Sequence, residues 1–238
     1  DLFTGMYATV AILAALRHAE RTGLGQQVDM ALLDTQIAML ANLGANYLVS
    51  GKKDGKVPGR SGNAHQNIVP YQVFEVAPAA DGCKDHLILA VGNDTQFAKL
   101  CEVANRPDLA ADPRFIRNAD RVRHRHVLVP LLEDVFKTRR KADWLSALEV
   151  AKVPCGAINN LAEVFADPHV QERAMVTTWV HPWNPAVDLV ASPIKLSATP
   201  VRTELPPPTL GQHTNEVLSE LLQLDDDALR QLRAQRIV

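Results

Sequence analysis

Apolar and polar residues alternate at two periods along this chain. In residues 4–21, Met6, Val10, Leu13 and Leu16 recur near helical spacing, with Ala and Gly between them. That spacing predicts a helix. Its small-residue faces predict close packing all round, so the helix should be central. Arg17, His18, Glu20 and Arg21 mark a wet end, and Gly23 is placed for a left-handed stop. Residues 26–30, QQVDM, read as a short strand, and residues 31–51 as one helix ended by Ser50-Gly51. Residues 52–67, KKDGKVPGRSGNAHQN, lose apolar content and predict a loop or linker.

Period-two stretches follow. IVPYQVFEV and HLILAVG, joined by APAADGCKD, predict a β-hairpin. DTQFAKLCEVA predicts a helix capped by Asp94, and RPDLAADPRF a proline-punctuated turn. From Asn118 to Thr138 an apolar stripe predicts a helix, with a kink or break at Pro130. KADWLSALEVA reads as a helix, VPCGAI as a buried strand and residues 161–175 as short helical turns. VTTWVHP and DLVASPIKL read as strands, and TELPPPTLGQHT as an extended run. Two helices close the chain, capped by Thr214 and Asp225. The mixture supports an α/β or α+β protein without internal repeats.

Composition narrows the classes. With 238 residues and a formal net charge of −2, the chain has no electrostatic case for nucleic acid as a partner. Cys83, Cys101 and Cys155 are odd in number and widely spaced, which argues against a disulfide framework or a metal site and fits a reducing cytoplasm. No apolar run looks long enough to span a bilayer, so no membrane partner is expected. The first residue is Asp, and the chain starts almost inside a helix. This reads as a piece whose N-terminal part is absent, and such a piece is expected to be poorly soluble or swapped on its own.

Asp1 is the only charge in DLFTGMYATVAILAAL. One reading is a helix cap that satisfies orphan N–H groups. If Thr4 caps instead, Asp1 is free as a carboxylate at a helix N-terminus, where the dipole favours the ionised form that a nucleophile or base needs. His65 lies in the polar stretch GRSGNAHQN, either as a solvated loop residue or over a ligand that Gly59 and Gly62 let the backbone approach. The basic run Arg121, Arg123, His124, Arg125 and His126 reads as a solvated helix face rather than an anion site.

Taken together, several stretches resemble the class III CoA-transferases, the CaiB/BaiF family. DLFTGMYATVAILAALRHAERTGLGQQVDMALLD resembles the segment that carries their catalytic aspartate, with Asp1, Thr4, Gly5, Thr22, Gly23, Gly25, Gln26, Val28 and Asp29 in matching places. GNAHQNIVPYQVF, GNDTQFAKLC, DPRFIRNADRVRHR, VPCGAINNLAEVFADPHVQER, SPIKLSATP and LGQHTNEVLSELL follow in family order. AHQNIVPYQVF and GANYLVSGK look most like the branch acting on succinate and glutarate or hydroxymethylglutarate. The oxalate branch carries consecutive glycines where this chain has GRSGNAHQN.

The resemblance implies a Rossmann-like large domain assembled from both chain ends, an inserted small α+β domain, and an interlocked homodimer. Residues 1–55 and 151–238 would belong to the large domain and 56–150 to the small one. It implies Asp1 as nucleophile, with a coenzyme A thioester and a carboxylic acid, a dicarboxylate by branch, as substrates and no permanently bound cofactor. Arg60, Gly62, Asn63, His65 and Gln66 are then candidates for substrate binding, each with a solvated-loop alternative. The rival readings are an α-methylacyl-CoA racemase, in which Asp1 moves a proton, and an inactive or split fragment.

Overall fold

A computed structural model describes residues 1–181, 183–202 and 205–238. Two units emerge, Asp1–Cys155 and Gly156–Val238.

In the first unit, α1 (Leu2–Thr22) opens on Asp1, whose Oδ1 accepts the Leu2 N–H at 2.5 Å. It closes on Gly23, at φ 73°, a left-handed conformation open to glycine, with the Gly23 N–H bonded to Ala19 O. The expected central position is not found: no α1 residue is buried, and Leu2 is 83% exposed. Among the described residues α2 is the main element against α1, and one short helix cannot cover an apolar surface on all sides. At 21 residues and a mean hydropathy of 1.3, α1 is also long and apolar enough to cross a membrane, which corrects the expectation of no such run. Core helices of soluble proteins pass the same test.

Residues 26–30 form no strand, since no neighbouring strand takes up their backbone groups among the described residues. The single helix expected over 31–51 is divided into α2 (Leu32–Ala38), α3 (Ala41–Asn46), a π-helical turn (Tyr47–Gly51) and α4 (Lys52–Asp54). Asn42, Gly44 and Asn46 are poor helix formers and lie in the divided region. The helical path runs past Gly51 and stops at Gly55, φ 66°.

The core of this unit begins at Val69 and ends at Val153. β1 (Tyr71–Val76) and β2 (Asp85–Ala90) form the expected antiparallel hairpin, Tyr71 opposite Ala90 and Val76 opposite Asp85. Alternation sends Phe74, Val76, Leu87 and Leu89 to one buried face. α5 (Asp94–Val103), α6 (Pro107–Ala111), α7 (Asn118–Arg123), α8 (Arg125–Phe136) and α9 (Lys141–Val150) supply the other half of the core. Phe136 stacks between Phe74 and Trp144, with centroids 4.7 and 4.8 Å away. β3 (Cys155–Ala157) completes the sheet in the order β1-β2-β3.

Three details differ from expectation. The cap of α5 is Asn93, whose Oδ1 accepts the Gln96 N–H, because Asp94 is drawn instead to Asn118 and Arg121. The helical break falls at His124, while exposed Pro130 sits inside α8. Arg121, expected on a solvated face, is 0% exposed.

In the second unit, α10 (Leu161–Ala166) starts with a capping box of Asn160 and Glu163, and α11 (Pro168–Glu172) is capped by Asp167. β4 (Val176–His181) pairs antiparallel with β5 (Asn184–Val190). The strand expected over 188–196 therefore starts earlier and stops at Val190, before the Ser192-Pro193 pair, whose proline lacks a ladder donor. Pro182 of the first expected strand, and Thr203 and Glu204 of the expected extended run, lie outside the described residues. In α12 (Thr214–Leu222) the cap position is His213, not Thr214; the His213 ring pairs with Glu216. α13 (Asp226–Ala234) has the expected Asp225 cap on the Ala228 N–H.

Candidate functional site

The polar stretch 59–67 is irregular, yet its groups are heavily bonded. Asn63 Oδ1 accepts the N–H of Val73, at 2.9 Å, on the edge of β1. Gln66 Nε2 donates to Ser61 Oγ at 3.1 Å and to Gly59 O at 3.4 Å. His65 lies flat on Tyr71, with ring centroids 5.3 Å apart and planes 8° from parallel, and its backbone N–H reaches Tyr71 O. Its Nδ1 accepts the Asn67 N–H at 3.1 Å, and its Nε2 lies 3.4 Å from Asn42 Nδ2. Gly62 stands at φ 59° with open space around it. A side chain is disfavoured there by backbone conformation rather than by crowding.

The loop is held from α7 and α8. Arg125 donates to the carbonyls of His65 and Gln66. Asn118 bridges Asn67 O and the Val69 N–H, at 2.7 and 3.1 Å. Arg121 donates to Val69 O, Phe115 O, Ile116 O and Asp94 Oδ1, all at 3.0 Å or less, and lies 4.4 Å over the Phe97 ring. Burial pulls this guanidinium below its ordinary range, and the Asp94 carboxylate opposes the shift. The basic run was visible in the sequence, but which of its members face inward depends on the break at His124.

The candidate residues thus separate. Arg60 and Gln66 line a cleft of ≈ 560 Å³ between the loop and the π-helical turn, together with Lys56 and Arg125. Gly62, Asn63 and His65 belong to the loop but are not among that cleft's lining residues. Asp1 is exposed at the start of α1, and no hydrogen bond joins its carboxylate to residues 59–67 among the described residues.

The chain matches the sequence profile of CoA-transferase family III over residues 1–214, and it belongs to that family. It is 45% identical over 228 residues to a succinate–glutarate CoA-transferase of Agrobacterium fabrum, covering 96% of this chain and 54% of that protein. It is 37% identical over 238 residues to the human succinyl-CoA:glutarate CoA-transferase, covering 100% of this chain and 52% of the human one. A crystal structure of a CaiB/BaiF family protein from Brucella suis superposes with a TM-score of 0.71 at 41% identity, over 92% of this chain and 54% of that one. The mixed helix-and-sheet fold is thus that of a CaiB/BaiF neighbour. The chain spans about half the length of the curated relatives it matches.

Proposed function

We propose that the protein exchanges coenzyme A between carboxylic acids, with succinyl-CoA as donor, a dicarboxylate such as glutarate as acceptor, and Asp1 as nucleophile. The observation that carries this reading is the 45% identity with the Agrobacterium succinate–glutarate CoA-transferase along 96% of the chain. Asp1 oxygen attacks the thioester carbonyl, the C–S bond breaks and CoA thiolate leaves, forming a succinyl–aspartyl anhydride. The thiolate attacks the aspartyl carbonyl, succinate departs, and an Asp1–CoA thioester remains. The acceptor carboxylate attacks that thioester, the thiolate leaves again, and it returns to the acceptor's carbonyl. The product is a new acyl-CoA, and Asp1 is a free carboxylate once more. Positioning and aimed N–H donors must supply the rate, because a carboxylate is a weak nucleophile toward thioesters in water.

Loop 59–67 is proposed as the cover that keeps water from the anhydride, with Arg60, Gly62, Asn63, His65 and Gln66 as substrate-side residues. Its anchoring to β1, α7 and α8 gives it a defined shape from which to act. The Rossmann-like large domain from residues 1–55 and 151–238, the small domain over 56–150, the interlocked homodimer and a cytoplasmic location belong to the same proposal. The core running from Val69 to Val153 supports the small domain, and three free cysteines suit a reducing compartment.

The test is an assay of the full gene product with succinyl-CoA and glutarate, following glutaryl-CoA by mass spectrometry. Wild type should form it, and Asp1→Ala should lose at least about 10³-fold in kcat. Gain of α-deuterium from heavy water without CoA exchange would overturn the reading in favour of a racemase.

A further inference from the structure

The cleft between the π-helical turn and the loop has an unbalanced charge. Lys56, Arg60 and Arg125 line it, opposed by Asp54. Several cations elsewhere in this unit are paired, among them Arg106 with Asp108, Arg114 with Asp112, Arg121 with Asp94, Arg123 with Asp120 and Lys141 with Asp85. No ion pair within the described residues reaches Lys56 or Arg60. Arg125 is half-buried and spends donors on two loop carbonyls, which fixes the wall from which Arg60 and Gln66 project.

The opposite wall is built with equal constraint. After the π-helical turn, the chain winds through α4 and the left-handed Gly55, and the Lys56 N–H closes on Gly51 O at 2.8 Å. Gly51 is buried, and a Cβ there would lie 2.5 Å from Lys56 O, so the approach requires glycine. π-Helical turns of this kind recur at functional sites. A volume of ≈ 560 Å³ suits a small organic acid and lies within the range of ligand clefts. Guanidinium and ammonium groups without carboxylate partners suit an anionic ligand, guanidinium pairing best with a planar carboxylate.

We infer that this cleft receives the free carboxylate of a dicarboxylic substrate, the end that is not activated, with Arg60 and Lys56 as counter-charges and Arg125 as a positioning residue. The role rests on the CoA-transfer reading above. It makes the cleft the element that separates dicarboxylic from monocarboxylic acceptors. Glutarate and pentanoate differ only in that distal group, a carboxylate in one and a methyl in the other.

The experiment measures kcat and KM of the full gene product for glutarate and for pentanoate, with succinyl-CoA as donor. Arg60→Gln and Lys56→Gln should each raise KM for glutarate about ten- to hundred-fold, the size expected for a lost charge-assisted hydrogen bond, with a smaller change in kcat. KM for pentanoate should move far less, and Arg60→Lys should recover part of the loss. Arg125→Met should lower kcat as well as glutarate affinity, and Arg125→Lys should restore kcat in part. An unchanged KM for glutarate in both Gln variants, or equal losses for the two acids, would overturn the inference while leaving CoA transfer intact. Absence of acyl-CoA product from wild type with any acid would overturn the CoA-transfer reading and this inference together.

Discussion

At the scale of single residues, Arg121 carries the heaviest load outside the proposed chemistry. One guanidinium satisfies three carbonyls and a carboxylate and stacks on Phe97. Arg121→Met would leave those acceptors buried without donors. It should cost about 3–5 kcal/mol, measured as a fall in unfolding free energy in urea. Cys101 gives a pH signature. Burial pushes its thiol from 9.0 up to about 12. Between those values the folded chain keeps a proton that the unfolded chain releases, so stability falls as pH rises from 9 toward 12. Urea midpoints at pH 8 and pH 10.5 should show the decline, and Cys101→Ala should make it shallower, Cys83 and Cys155, whose thiols are also pushed up, keeping the remainder. Asp1 stood out in the sequence because it is a lone charge beside an apolar run. Arg121 did not, since a basic residue among basic neighbours has the pattern of a wet helix face until the fold turns one of them inward.

At the scale of elements, local chemistry announced what local chemistry decides. The hairpin, the left-handed stop at Gly23 and the Asp225 cap were all legible, because alternation, glycine freedom and side-chain capping act within a few residues. The stretch 31–51 was not. Its apolar content resembles one helix, but Asn42, Gly44 and Asn46, poor helix formers, fall where the helix is divided. Gly51→Ala should disturb that turn and lower stability by about 1–3 kcal/mol, read from thermal unfolding. Pro130 was expected to bring a kink or a break, and of the two the break does not occur: α8 runs through the ring at an exposed position. Pro130→Ala should restore a helical N–H with little lost packing and raise stability by about 1–3 kcal/mol.

At the scale of the whole molecule, buried apolar side chains concentrate between Val69 and Val153, with Leu229 apart in the second unit. Residues 1–57 expose Leu2, Phe3, Met6, Val10, Leu13 and Leu48 among others. In the 238-residue chain alone, hydrogen exchange followed by mass spectrometry should find the slowest amides in β1, β2, α5, α8 and α9, and fast exchange along α1. Faster exchange in β1 and β2 than in α1 would contradict this distribution of stability. The family was legible from ordered motifs along the chain, whereas the loop's anchors were not, because Arg125 and His65 are 60 residues apart in sequence. Whether Asp1 is the nucleophile is decided by trapping its acylated form. The full gene product is mixed with succinyl-CoA, quenched rapidly with hydroxylamine, and its peptides are weighed. A hydroxamate should appear on Asp1, and only with the acyl-CoA present. An unmodified Asp1 in enzyme that turns over succinyl-CoA and glutarate would contradict that role.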